Sequence, residues 1–304
     1  MPVEAIDRLS EILDAEASRV SVEVDDFFAR LLPPTGDTRE RLYEAMRHAA
    51  IGGGKRLRPL LTVAAAQLFP IARDQALRVG SAIEAIHVSS LIHDDLPCMD
   101  DADLRRGKPT VHKAYGEAEA VLAGDSLHAL AFEILAHQAT HDDPWVRSDL
   151  VLELARAAGP AGMAGGQMMD LVAEGQELDL PSITRLQQLK TGALIEYSVE
   201  AACIMVRLTH EARTPYRGYA RNIGLAFQIA DDLIDHSGDE QAAGKRTRQD
   251  QPAGKATFVS LLGEDRARQQ ASFLVDQAIE HLEDHGDEAD LLRAIARFAI
   301  ERDH

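Results

Sequence analysis

Ala82-Ile83-Glu84-Ala85-Ile86-His87-Val88-Ser89-Ser90-Leu91-Ile92-His93-Asp94-Asp95-Leu96-Pro97-Cys98-Met99-Asp100-Asp101 decides how this chain folds. Ala82, Ile83, Ala85, Ile86, Val88, Leu91 and Ile92 cover most of a helix's circumference, and a helix apolar nearly all round belongs in a core. Glu84, His87, Ser90 and Asp94 interrupt it on one face. The segment then runs into a cluster of carboxylates, groups that are rarely buried unless paired or bound to a metal.

A second segment repeats the plan. Over 215–236, Ile223, Leu225, Ala226, Phe227, Ile229, Ala230, Leu233 and Ile234 are apolar, while Gly224, Gln228, Asp231 and Asp235 form a stripe. It ends in Asp231-Asp232-Leu233-Ile234-Asp235. An isolated DDxxD is ordinarily an exposed helix end. Two such clusters on apolar helices instead suggest two walls of one cation site, beside a polar-mouthed cavity of the kind helix bundles use for ligands. All-oxygen donors favour Mg²⁺ or Mn²⁺ over Zn²⁺.

The remaining sequence reads as helix throughout, with segments predicted near 4–30, 39–51, 57–69, 74–95, 117–139, 145–159, 182–208, 215–236, 255–284 and 287–301. Breaks fall at Pro33-Pro34, Gly52-Gly53-Gly54, Pro70, Pro144, Gly159-Pro160, Pro181 and Pro252, where turn chemistry is expected. No Ser/Gly-rich or Pro-rich linker divides the 304 residues, so one all-α domain spanning 1–304 is expected. The net charge of −18 argues against nucleic acid or an anionic membrane as the main partner. It leaves room for an anionic small substrate, because local basic clusters and metal ions reverse the field in a cleft. Two distant cysteines, Cys98 and Cys203, give no disulfide framework, and charges interrupt every apolar run before membrane-span length. The first ten residues show no apolar signal-peptide core; a cytoplasmic protein is expected.

Basic residues supply an anion side. Gly52-Gly53-Gly54-Lys55-Arg56-Leu57-Arg58-Pro59 places three cations between a glycine turn and a helix start, which suits a phosphate. Arg105-Arg106-Gly107-Lys108 follows the first aspartate cluster, Lys190-Thr191-Gly192 lies mid-chain, and Gly244-Lys245 and Gly254-Lys255 follow the second cluster. Each alone is usually a solvated surface feature. With the paired clusters they describe a site for two polyanions, one bridged by Mg²⁺ and the other held by Arg and Lys.

The ordered set GGGKRLRP, SLIHDDLPCMDDADLRRGKPT, GGQMMD, KTGAL and GLAFQIADDLID, with two later Gly-Lys pairs, resembles the bacterial trans-polyprenyl diphosphate synthases, the farnesyl and geranylgeranyl diphosphate synthases. The resemblance runs from about Ile51 to Thr257 and implies an isoprenoid-synthase-type helical bundle around a central cavity, performing head-to-tail prenyl transfer. It implies that Asp94 and Asp100, with Asp95 adjacent, meet two Mg²⁺ ions, and that Asp231 meets a third, with Asp235 acting through water. It places Lys55, Arg58, His87 and Arg106 at isopentenyl diphosphate, and Arg105, Lys190, Thr191, Gln228, Lys245 and Lys255 at the allylic diphosphate. Gln167 and Asp170 line or brace that side. Asp94, Asp95, Arg105, Lys190, Thr191, Gln228 and Asp231 are the catalytic set, and a homodimer is implied.

Chain length is read from the first helix. Ser89 lies five residues before Asp94, roughly 7–8 Å along a helix. Relatives that make farnesyl products often carry an aromatic there; Ser89 and Ser90 are small, with Ile86 or a partner helix such as 117–139 as the next barrier. This favours geranylgeranyl (C20) over farnesyl (C15). The chain departs from the family at Arg248-Gln249-Asp250, where Gly-x-Asp is usual, and at Phe258-Val259, where Tyr-Pro is usual. A terpene cyclase is disfavoured by the all-aspartate second motif and by GGGKRLRP. An HD phosphohydrolase is disfavoured by the lack of further ligand histidines, and a regulatory subunit by the intact aspartates.

Overall fold

Breaks and caps written in the sequence set most helix boundaries. The computed structural model describes residues 3–173, 178–237 and 257–301. Among these, α1 (Val3–Leu31), α2 (Glu40–Ala50), α3 (Leu57–Ala66) and α4 (Arg73–Asp94) lead to a small hairpin, β1 (Leu104–Arg105) and β2 (Lys108–Pro109). Then come α5 (Val111–Tyr115), α6 (Glu117–Ala136), α7 (Pro144–Ala158), α8 (Met163–Ala173) and α9 (Leu180–Gln187). A π-helical turn, Gln188–Gly192, joins α9 to α10 (Ala193–Met205), which is followed by α11 (Thr214–Ser237). The chain continues with α12 (Phe258–Leu262), α13 (Glu264–Glu280), a 3-10 turn (Asp287–Ala289) and α14 (Asp290–Phe298). Asp143 caps α7 through the Trp145 N–H, with Pro144 in the first turn, and Asp179 caps α9 through the Ser182 N–H, with Pro181 in the first turn.

The fold is an all-helical bundle, and α4 runs through its core. It packs on α3 and α6. Ala76, Val79, Ala82, Ile83, Ala85 and Ile86 are each fully buried. α10 packs on both α4 and α11, so the two aspartate-bearing helices share a neighbour, while α13 packs along α11 and α14 packs on α1. Buried phenols tie the layers together: the Tyr197 hydroxyl donates to Leu150 O at 2.7 Å and the Tyr219 hydroxyl to Leu292 O at 2.7 Å. No helix among the described residues is long and apolar enough to cross a membrane.

The structure corrects several sequence boundaries. The segment read as one helix over 182–208 contains the π turn at Gln188–Gly192. The segment read as 255–284 breaks at Gly263, whose φ of 79° ends α12, and the described part begins at 257. α8 falls outside the predicted helical segments, and its Gly165-Gly166 pair has poor helix propensity. Packing overrides it: a Cβ at Gly166 would stand 2.2 Å from Lys190 N, so α8 lies directly against the π turn only with glycine there.

Candidate active site

The end of α4 folds back on itself. Pro97 cannot continue the helix, and the Asp100 N–H donates to Asp94 O at 2.8 Å while the Ala102 N–H donates to Asp95 O at 3.2 Å. Asp94 and Asp100 are thereby brought together. Burial raises the Asp94 carboxyl to about 6; Lys190 and Arg105 oppose the rise, and Asp100 and Asp95 add to it. A carboxyl whose charge is disfavoured by burial and by neighbouring carboxylates suits a divalent cation. Among the described residues no group of three or more His, Cys, Asp or Glu stands ready to enclose a metal. A pair of open oxygen donors fits Mg²⁺, which keeps several waters and takes substrate phosphates rather than a protein cage.

Asp95 has a different task. It is 3% exposed, and its two oxygens accept from Arg105 Nε at 2.8 and 2.9 Å. As placed, it anchors Arg105 and supports a cationic arm beside Asp94. Arg105 stands on β1, and Arg106-Gly107 is the two-residue hairpin turn, with φ of 52° and 76°. Positive φ at both positions marks a type I′ turn, which glycine tolerates and arginine adopts only under local constraint. Arg106 Nη1 donates to Gly53 O at 3.0 Å and Lys108 Nζ to Ile51 O at 3.3 Å, so the basic hairpin is docked on the glycine loop.

Lys55, Arg58, His87 and Arg106 line one cleft of about 510 Å³, together with Arg56, Glu84 and Phe227 and with walls from α1 and α14. Burial holds the His87 imidazole well below its ordinary range, reinforced by Arg58, Arg106, Arg105 and Arg56, so it is neutral at pH 7. Arg58 Nε is buried without a hydrogen-bond partner. A buried orphan donor is costly unless a ligand satisfies it. Cations gathered in one cleft of a chain of net charge −18 make a local anion trap. Lys55 Nζ also lies 5.7 Å from the Phe298 ring centroid on α14.

α8 and α11 both pack on the π turn, whose Lys190 charge is felt at Asp94. Lys190 Nζ is held by Asp170 Oδ2 at 2.6 Å, and Thr191 follows it in the π turn, a feature frequent at functional sites. Gln167 is half-buried on α8. On α11, Asp231 is exposed, whereas Asp232 and Asp235 are buried. Gln228 Nε2 donates to Asp232 Oδ1 at 2.9 Å and the Phe258 N–H to Asp232 Oδ2 at 2.8 Å. Lys245, Lys255 and the divergent Arg248-Gln249-Asp250 lie outside the described residues.

Comparison with known proteins gives the family. The polyprenyl synthetase family model matches residues 39–297. The chain belongs to the polyprenyl synthetase family. It is 41% identical over 288 residues to the farnesyl diphosphate synthase of Escherichia coli, covering 92% of this chain and 95% of that protein. It is 44% identical over 247 residues to geranylgeranyl pyrophosphate synthase 11 of Arabidopsis thaliana, a chloroplastic protein, covering 79% and 69%. Among solved structures, an apo FPP/GFPP synthase from Zymomonas mobilis superposes with a TM-score of 0.88 at 58% identity, covering 94% of this chain and 98% of that one. The protein is an enzyme, a prenyltransferase with the helical fold of its family.

Within this prenyl synthase the structure brings together Lys55, Arg58, His87 and Arg106, then Asp94 with Asp100, then Lys190 with Asp170. The chain-length candidates lie apart from the large cleft. Ile86 is fully buried and Ser89 is 2% exposed, while Ser90 is half-buried with its hydroxyl donating to His87 O at 2.8 Å. Sequence reasoning passed over Asp25, and it named Arg56, Glu84 and Asp232 without their partners, which lie far away in sequence. A buried Glu at the start of the α4 polar stripe was the available signal, since such a carboxylate needs a cation.

Proposed function

We propose that this prenyltransferase condenses isopentenyl diphosphate with an allylic diphosphate and releases geranylgeranyl diphosphate (C20). The observation that carries the reading is the cleft joining Lys55, Arg58, His87 and Arg106, set beside the hairpin that presents Arg105 near Asp94. The cleft receives isopentenyl diphosphate. Its guanidinium and ammonium groups bind the phosphates, and neutral His87 contributes a hydrogen bond without further charge. The allylic diphosphate lies toward Arg105, Lys190, Thr191 and Gln228, with Lys245 and Lys255 as its further contacts.

In the reaction the allylic C1–O bond breaks, the electron pair leaves with the diphosphate, and an allylic cation remains. The isopentenyl double bond attacks it, a C–C bond forms, and the proton lost from the adjacent carbon goes to the released diphosphate. Three Mg²⁺ ions, with Mn²⁺ as an alternative, supply Lewis-acid neutralisation of the leaving group when bound. Asp94 and Asp100, and Asp231 with Asp235 acting through water, would hold them. Arg105 and Lys190 meet charge developing on the leaving group from positions already fixed by Asp95 and Asp170. Thr191 and the side-chain oxygen of Gln228 turn dipoles toward the cation. Apolar walls exclude water that would quench it.

Small Ser89 supports the C20 length. The second reading, a farnesyl (C15) product, rests on the close burial of Ile86 and Ser89. We also propose a homodimer, in keeping with the family resemblance. Incubation with Mg²⁺, isopentenyl diphosphate and a short allylic diphosphate, followed by chromatography of the dephosphorylated product, tests the reading. C20 is expected; absence of chain elongation removes the activity, and a final C15 product removes the length.

A further inference from the structure

A buried ion-pair bridge ties α1 to the glycine-rich loop. Arg56 is 2% exposed and sits at φ 47°, a left-handed conformation unfavourable for arginine. Its guanidinium donates to Glu84 Oε1 at 2.9 Å, to Asp25 Oδ1 at 2.6 Å and to Ala50 O at 2.6 Å. The other oxygen of Asp25 accepts from the Gly52 N–H at 3.0 Å. One carboxylate on α1 thus holds both ends of the segment 52–56.

That segment carries Lys55 and leads directly into Arg58. It also supports Arg106, whose guanidinium fills the space above Gly54: a Cβ there would stand 2.5 Å from Arg106 Cζ. A shift of the segment therefore moves three cleft cations together. Asp25 lies outside the residues 39–297 that match the family model, so the clamp is supplied by the helix beyond the matched region. The Asp25 side chain is 26% exposed, against 2% for Glu84, so the Asp25 end is the one that tolerates substitution.

We propose that Asp25 is a positioning residue for the isopentenyl diphosphate pocket, acting through Gly52 and Arg56 without touching substrate. The assignment rests on the functional reading above. A buried ion pair kept only for stability would change the melting temperature and leave substrate discrimination alone. A positioning residue changes one substrate's KM and not the other's.

The full-length Asp25→Asn variant is the test, with Asp25→Glu as the conservative rescue and exposed Asp26→Asn as the control. KM for isopentenyl diphosphate is expected to rise about 10-fold, with kcat and the allylic KM within about 2-fold of wild type. Asp25→Glu is expected to recover most of the loss, and Asp26→Asn to show none. If Asp25→Asn fails to fold, Arg56→Lys, which keeps the charge but loses the fork, is expected to give the same one-sided rise. Equal rises in both KM values, or a lowered melting temperature with both KM values unchanged, overturn the proposal. Wild-type protein without turnover refutes the functional reading instead. Hydrogen exchange over residues 52–56 then still decides the clamp: faster exchange in Asp25→Asn supports it, and unchanged exchange removes it.

Discussion

Asp94-Asp95 and Asp231-Asp232 end two core helices, yet their inner carboxylates are buried against different partners. Asp95 is 3% exposed and grips a cation, Arg105. Asp232 is 6% exposed and accepts from the Gln228 amide and the Phe258 backbone N–H. The outer carboxylates differ as well: Asp94 is half-buried beside Asp100, and Asp231 is exposed. In each pair the inner residue serves the protein. At the first cluster it fixes a charge beside the site; at the second it ties the chain at α12 to the end of α11.

The largest expected effect lies at Asp94. Asp94→Asn is expected to lower kcat by about 10²–10³-fold, as for the loss of one preorganised electrostatic contact. The same variant should be more stable than wild type at pH 7 without metal. The folded-state pKa is raised to about 6 above the ordinary 3.8, so the stability linked to protonated Asp94 is present below the unfolded value. It is lost as pH rises through the folded value, and asparagine never pays that charging cost. Thermal melts in EDTA at pH 4.5 and pH 7 check this: the advantage of the variant should grow with pH, and a constant difference would contradict it.

Next in size is the second cluster's stability role. Asp232→Ala leaves the buried Phe258 N–H without this acceptor, and denaturant unfolding should show a loss of about 1–3 kcal/mol. Asp231→Asn should stay within about 0.5 kcal/mol, as for a surface site. A reversal of that order would break the comparison. At the first cluster, Asp95→Ala and Arg105→Ala should be non-additive, with a coupling of about 0.5–3 kcal/mol in the allylic kcat/KM, because Asp95 acts through Arg105. Additive losses would mean that Asp95 meets substrate or metal by itself. The smallest expected effect on rate is Ser89→Phe, which should shorten the main product. An unchanged C20 product would remove Ser89 from the role of floor.

Helical periodicity located α4 and α11 and their polar stripes, because a 3.6-residue repeat shows directly in residue type. The fold-back of Asp100 on Asp94 was legible from Pro97, since proline cannot continue a helix. Arg56 was not separable from Lys55 and Arg58, because a left-handed backbone turn decides which of three nearby cations enters the core. α8 was hidden by Gly165-Gly166, a pair whose meaning is a close approach to Lys190 and not a turn. Asp25 gave no local sign at all, its partner Arg56 standing 31 residues away, and the tie from Asp232 to Phe258, 26 residues on, was not visible in the cluster that contains Asp232. Motif order identified the cations of the cleft, but the hydrogen bonds that support them had to be seen in three dimensions.

The division of labour within the first pair is tested most directly by titrating Mg²⁺ into turnover assays of Asp94→Asn and Asp95→Asn side by side. Asp94→Asn is expected to raise the half-saturating Mg²⁺ concentration about 10-fold or more. Asp95→Asn is expected to leave it near the wild-type value while raising the allylic KM. Equal Mg²⁺ shifts in the two variants, or a larger shift in Asp95→Asn, would contradict the account.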